Sequence, residues 1–214
     1  MGKLRNNTKP LYRSPKLGCL LYSIHMTQVH KRCAWAGTEP LNIEYHDLQW
    51  GVPLHDDTKL FEFITLEGAQ AGLSWLTILK KRNTYRKVFD SFEVKKVALY
   101  DDKKVASLLL DSGIIRNKLK IASTIKNAKA FLEVQKEFGS FDKYIWQFVN
   151  NKPITNALKQ GGVYPTTSEE AHAMSKDLLK RGFKFVGPTI CYAFMEAVGM
   201  INDHQTHCFR YKEV

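Results

Sequence analysis

Glu67 falls where a helix would bury an apolar side chain. In a helix starting near residue 57, Leu60, Ile64, Glu67 and Ala71 share one stripe, and Lys59, Glu62 and Thr65 lie on the other side. Burying a carboxylate unpaired costs several kcal/mol (about 2–7 for a polar group, more for a charge) or forces its pKa upward. Such an acid pairs with a buried arginine, caps a neighbouring helix or serves a ligand. The small residues Gly68, Ala69, Ala71 and Gly72 leave room for another group to approach, and Trp75 follows. An acid, a small-residue floor and an aromatic plate suit a flat polar ligand.

A second constellation suits a metal. Cys33 and His46 lie near one end of the domain, and His204 and Cys208 stand in H-x-x-x-C spacing at the other. Two Cys and two His complete a tetrahedral set of soft ligands with no open position, the structural kind of zinc site. Such a clasp would tie the two ends together. It would also fix Trp35 and Tyr45, neighbours of two proposed ligands, as part of an aromatic group with Trp50 and Trp75 around Glu67. His207 is a rival ligand, poorly placed beside Cys208. Bland alternatives are a free buried Cys with surface histidines, and aromatics that only pack.

The third is the segment GFKFVGPTI, residues 182–190, between two helical stretches. Exposed amides at a helix N-terminus bind phosphate, and Lys180, Arg181 and Lys184 add positive charge. Gly187 and Thr189 sit where such amides would be presented. The pattern resembles the helix-hairpin-helix element that grips a DNA backbone without reading sequence. It departs from that element in having Phe185 for the first glycine, and a plain helix corner is the competing interpretation.

Helices must position all three. The chain predicts helical stretches over 57–71, 73–81, 83–90, 94–100, 102–111, 116–137, 141–150, 169–181 and 188–200, with Asp101 or Asp102 and Ser168 as caps and Pro188 at a first helical position. Residues 33–53 are irregular, and 151–167 form a loop rich in Gly and Pro. No alternating strand pattern of useful length occurs, so the predicted fold is all-α.

The 214 residues carry a net charge of +11, of which residues 1–32 hold +7 with no acid. The rest is moderately basic, which fits a polyanion partner without demanding one. Residues 1–30 are expected to be a disordered basic extension outside a helical domain of 31–214, with Met26 an alternative start; LGCLLYSI is short for a signal-peptide core. No run approaches a membrane span. Four scattered cysteines (Cys19, Cys33, Cys191, Cys208) are too few for a disulfide scaffold, so a reducing, cytoplasmic setting is the expectation.

The blocks RCAWAG, YHDLQWGVP, LFEFITLEGAQAGLSWLTILKKR, SGIIRNKLKI and KRGFKFVGPTICYAFMEAVGMINDH, with the final H-x-x-x-C, together resemble the DNA-3-methyladenine glycosylase I family. The resemblance runs in order from about Arg32 to Cys208. It implies a helix-hairpin-helix glycosylase fold with a structural zinc on Cys33, His46, His204 and Cys208. It further implies that Glu67 and Tyr45 contact the base, Trp35 and Trp75 flank or stack on it, and Gly72 and Leu73 probe the gap left by the extruded nucleotide. The implied reaction is monofunctional release of 3-methyladenine from alkylated duplex DNA by a monomer, with no covalent lysine intermediate. Asp203 lies roughly where many related glycosylases keep a catalytic aspartate, but here it is expected at most to orient His204. A lesion-binding module without activity and a zinc hydrolase are the alternatives; the buried acid argues against the first and the closed ligand set against the second.

Overall fold

A computed structural model describes residues 30–214; the expectations for the first 29, including Cys19 and Met26, lie outside the described residues. Among the described residues nine α-helices carry the fold: α1 (Pro40–Leu48), α2 (Asp57–Gln70), α3 (Trp75–Val88), α4 (Val94–Val97), α5 (Asp102–Leu110), α6 (Lys118–Phe138), α7 (Phe141–Ile145), α8 (Glu169–Lys180) and α9 (Pro188–Ala197). The chain is thus mostly helical, as its periodicity predicts.

Local chemistry sets the boundaries. Asp56, Ser74, Asp101, Ser140 and Ser168 each accept a hydrogen bond from the amide three residues on, and Asn117 caps α6. Gly139 ends α6 in the left-handed conformation, φ 86°.

Helix α2 is the central element, packed against α3, α6, α7 and α9. All residues from Leu60 to Ala69 are buried, so Glu62 and Thr65, expected on the solvent side, are buried too. The periodic stripe identifies one covered face; tertiary packing covers the other. Glu62 is tolerated because Arg82 Nε and Arg86 Nε donate to it, and Arg82 also donates to Gln49 at 2.6 Å.

That inward turn of Arg82 explains a further difference. The stretches expected at 73–81 and 83–90 are one continuous helix, α3, because Ile78, Arg82 and Tyr85 form a buried face across the supposed break. The helix expected at 94–100 is a single turn, and that at 141–150 tightens after Ile145 into a 3₁₀ turn, Trp146–Val149, closed by Asn150 at φ 54°. Two short strands, unforeseen by any alternation, pair in parallel: β1 (Ile154–Thr155) with β2 (Ile201–Asn202), in the register Ile154–Ile201 and Thr155–Asn202. They pin the 151–167 loop to the chain leaving α9.

The two ends of the described chain also meet. Phe209 N donates to Lys31 O, and the His30 ring lies 4.3 Å from the Phe209 ring.

Candidate active site

Glu67 reaches the wall of a cleft of about 260 Å³ lined by Trp35, Tyr45, Trp50, Gln70, Trp75, Tyr164, Pro165, Ala193 and Glu196. Helix α2 supplies Glu67 and, one turn on, Gln70; α9 supplies Ala193 and Glu196. Tyr45 comes from α1, and Trp75 opens α3. Tyr45 and Trp75 lie 5.1 Å apart between ring centroids, and Trp35 meets Trp50 edge-on at 4.8 Å. The aromatic group anticipated around Glu67 is therefore assembled, with all four members in one cavity.

Burial pushes the Glu67 carboxyl up to about 8, with Arg82 pulling in the opposite direction. Burial likewise holds the Tyr45 phenol well above its ordinary value. The indole N–H groups of Trp35 and Trp75 are buried without a hydrogen-bond partner among the described residues. Unspent donors in the wall of a cleft suit a ligand with acceptors.

A narrower groove of about 200 Å³ continues from this cleft, sharing Glu67, Gln70 and Ala193 and adding Ala71, Gly72, Leu73, Thr189 and Ile190. Gly72 takes φ 76° with open space around it, and Leu73 is 42% exposed. Lys120 Nζ donates to the carbonyls of Ala69 and Ala71 at 2.8 and 2.7 Å, fixing the end of α2 from which this turn projects. The smallness of Gly68 serves a different neighbour from the one expected: it faces Phe185, not the cleft.

Lys184 and Gly187 line neither cavity. They belong to the turn between α8 and α9, where Lys184 is exposed and Gly187 is the N-cap residue of α9. Asn127 of α6 clamps that turn, accepting from Lys184 N at 2.7 Å and donating to Lys184 O at 3.0 Å. Phe185 adopts φ 54°, the left-handed conformation that a glycine takes without strain.

Cys33, His46, His204 and Cys208 converge, all buried, with their ligand atoms within 4.8 Å of one another. This group could hold a metal ion; His207 is no part of it. Cys208 Sγ lies 3.4 Å from His46 Nε2 and 3.5 Å from His204 Nδ1, and Cys33 Sγ lies 3.7 Å from His204 Nδ1. The outer ring nitrogens are spoken for: His46 Nδ1 pairs with Asp47 at 2.7 Å, and His204 Nε2–H donates to the Trp50 carbonyl at 3.0 Å. Arg32 in turn grips Asp47 through three contacts of 2.6–2.9 Å. Asp203 does not orient His204. Its carboxylate accepts from Tyr192 OH at 2.8 Å and Asn156 Nδ2 at 2.7 Å.

Three polar cleft residues escape the sequence reading: Gln70, Tyr164 and Glu196. Glu196 carries the signal that betrays Glu67, an acid inside the apolar run CYAFMEAVGM. Gln70 follows Glu67 by one turn. Tyr164 has no local marker, because only the β1–β2 pairing brings its loop to the cleft.

A mostly helical fold that closes an aromatic cleft over a buried acid, beside a four-donor Cys/His cluster, places the chain in a family: it belongs to the methyladenine glycosylases, whose family model matches residues 35–211. Among its relatives, DNA-3-methyladenine glycosylase 1 of Escherichia coli (strain K12) is 48% identical over 181 residues, covering 85% of this chain and 97% of that one. A crystal structure of 3-methyladenine DNA glycosylase I superposes with a TM-score of 0.81 at 47% identity, covering 84% of this chain and 98% of that one. A tyrosine-to-phenylalanine variant of 3-methyladenine DNA glycosylase I in complex with 3-methyladenine matches with a TM-score of 0.81 at 36% identity, over 83% of this chain and 96% of that one.

Proposed function

We propose that this chain is a monofunctional DNA glycosylase that extrudes a 3-methyladenine nucleotide from alkylated duplex DNA and hydrolyses its N-glycosyl bond. The observation that carries this is Glu67: a buried carboxyl facing an aromatic cleft. Methylation of a ring nitrogen leaves the N9-linked adenine cationic, so its glycosidic bond is already weak. The protein's task is to extract the base, hold it and admit water. The bonding electrons pass to the base, which leaves neutral; water adds to C1′ and loses a proton, giving an abasic site.

Each cleft residue has a place in that sequence. Trp75 and Trp35 offer ring faces to an electron-poor cation. A cation close to Glu67 favours its ionised form, which accepts hydrogen bonds from the adenine edge while Tyr45 fixes orientation. No lysine among the described residues lines the cleft, which supports direct hydrolysis over a covalent lysine adduct. Leu73, presented by the Gly72 turn in the adjoining groove, fills the gap left by the extruded nucleotide. The Asn127-clamped turn acts as a helix-hairpin-helix grip on the backbone, with Gly187 and Thr189 offering amides at the start of α9 and Lys184 a charge.

Cys33, His46, His204 and Cys208 would hold one structural zinc. A tetrahedron with Zn–S of about 2.3 Å and Zn–N of about 2.0 Å has S···N edges of about 3.5 Å, and three of the four Cys–His edges here span 3.4–3.7 Å. When bound, the ion supplies rigidity rather than reactivity, since all four positions are taken by protein. Residues 31–214 form the catalytic domain and residues 1–30 a basic extension. The protein works as a monomer on duplex DNA in the cytoplasm; no helix among the described residues is long and apolar enough to cross a membrane.

The test is incubation of the purified, zinc-loaded protein with methylated duplex DNA and identification of released bases by mass spectrometry. Free 3-methyladenine from the wild type, with at least tenfold slower release from Glu67→Ala, is the expected result. No released base from folded, metal-loaded protein would reject the assignment in favour of a lesion-binding module.

A further inference from the structure

A second cavity, of about 330 Å³, is built from helices that also wall the cleft, yet the two share no lining residue. Lys59 and Phe63 enter it from the first half of α2, Arg82 and Arg86 from the second half of α3, and Gln49 from the end of α1. Glu67 and Trp75 stand toward the opposite ends of α2 and α3. Among the described residues three cations line this cavity and no acid does. The carboxylate of Glu62 accepts from Arg82 Nε and Arg86 Nε, and Lys59, exposed on α2, has no ion pair among the described residues. Three cations against one carboxylate leave a formal excess of two positive charges. Arg82 is the most constrained of the three. It is 7% exposed, and its guanidinium lies 4.7 Å over the Phe63 ring. Its hydrogen bonds use Nε, to Glu62, and Nη1, to Gln49, and leave Nη2 without a partner among the described residues. A buried guanidinium with unspent donors in a cavity wall suits an acceptor placed there.

We propose that this cavity binds a phosphate monoester as its dianion, held by Arg82, Arg86 and Lys59 with its organic part against Phe63 and Leu54. The site lies outside the cleft, so the proposal stands whether or not the glycosylase reading does. Charge selects the ligand. A phosphate monoester carries about −1.5 to −2 at neutral pH, which answers the excess of two, whereas a carboxylate leaves one cation unanswered. The planar guanidinium fork matches the spacing of oxyanion oxygens, and Lys59 adds a point charge at the rim. The apolar wall acts twice. It gives an organic substituent surface to bury, so an ester gains over inorganic phosphate. It also lowers the local dielectric, so the same charges attract an anion more strongly than on an open surface.

The experiment is isothermal titration calorimetry of the zinc-loaded, full-length chain at fixed ionic strength, with phenyl phosphate, inorganic phosphate and benzoate as probes. Phenyl phosphate should bind at one site, inorganic phosphate more weakly and benzoate more weakly still. Lys59→Gln removes an exposed charge without touching Glu62, and it should weaken phenyl phosphate several-fold. Adding Arg86→Gln should bring the loss to about tenfold, the worth of a charge-assisted hydrogen bond. Should the double variant fail to fold, Lys59→Gln alone decides, since its exposed side chain carries no packing. Lys184→Gln, in the basic turn before α9, should leave the affinity unchanged. No saturable binding of phenyl phosphate by the folded wild type would overturn the proposal, as would wild-type affinity in both Lys59 variants. Binding lost in Lys184→Gln and kept in the Lys59 variants would place the anion at the turn and overturn it too. Benzoate binding as tightly as phenyl phosphate would refute the match to a dianion.

Discussion

A side chain at Gly68 would press on Phe185: its Cβ would lie 3.2 Å from Phe185 Cβ and 3.4 Å from Phe185 O. The helix that carries Glu67 therefore touches, at the very next residue, the turn proposed to hold DNA. Cleft and turn are positioned by one contact. Alanine at 68 gains helix propensity against a tight approach, and the two effects nearly offset. Valine adds branching that neither α2 nor the turn can absorb. Gly68→Val should lose about 1–3 kcal/mol in urea unfolding and bind DNA more weakly than Gly68→Ala. Wild-type stability and DNA affinity in the valine variant would show that the contact positions nothing.

The same pair shows what the sequence could disclose. Phe185 is visible as a departure from the glycine expected in such a turn, and Gly68 as a small residue beside an acid. Neither reveals that one makes room for the other, because their approach depends on how α2 crosses the α8–α9 turn. Glu67 is legible because helical periodicity is local and an acid on an apolar stripe breaks it. Glu62 is misassigned by the same periodicity, which cannot foresee a helix covered on both sides. Cys33, His46, His204 and Cys208 are legible through their chemistry, since four soft donors form a complete set at any sequence separation. Tyr164 is not legible, because a residue in a Gly- and Pro-rich loop is placed only by the strand pairing behind it.

Glu67 should make stability depend on pH in a direction opposite to that of a salt-bridged carboxylate. Its folded-state value of about 8 lies above the ordinary 4.5, so between those limits the folded chain binds more protons than the unfolded one. Below about pH 4.5 both states are protonated and the group costs nothing. As pH rises through the window the cost grows, and it is complete above about 8. Glu196, raised for the same reason, adds to the same trend. Glu67→Gln should therefore match the wild type near pH 5 and melt at a higher temperature near pH 9. A melting-temperature difference constant across that range would contradict the shift.

Arg82 holds Glu62 from below and also lowers the pKa of Glu67 on the other side of α2. Its guanidinium further lies 4.7 Å over the Phe63 ring. Arg82→Met leaves Glu62 buried with only the half-exposed Arg86 for company. The loss should be about 3 kcal/mol, the lower end for breaking a buried pair. Replacing both partners, Glu62→Met with Arg82→Met, should recover much of it, because an uncharged pair leaves no orphaned charge. Denaturant titration of the single and double variants decides; a double variant as unstable as the single one would mean that the pair's charge is not what matters.

Asp47 touches no donor atom's lone pair, yet it sets how His46 presents one. By accepting from His46 Nδ1–H it leaves Nε2 free to face the cluster, and Arg32 keeps the carboxylate in place. Asp47→Asn preserves size and one acceptor oxygen but removes the charge that raises the basicity of the ring. Metal affinity should fall about 10–100-fold. With metal in excess, each tenfold weakening lowers stability by about 1.4 kcal/mol through mass action. The metal-loaded variant should thus melt below the metal-loaded wild type, while chelator-treated samples of the two should melt together. Elemental analysis should find one zinc per wild-type chain, and chelation should disturb the fluorescence of Trp35, which packs 5.4 Å from the His46 ring. If the two proteins differ equally with and without metal, Asp47 acts on the fold directly and not through His46.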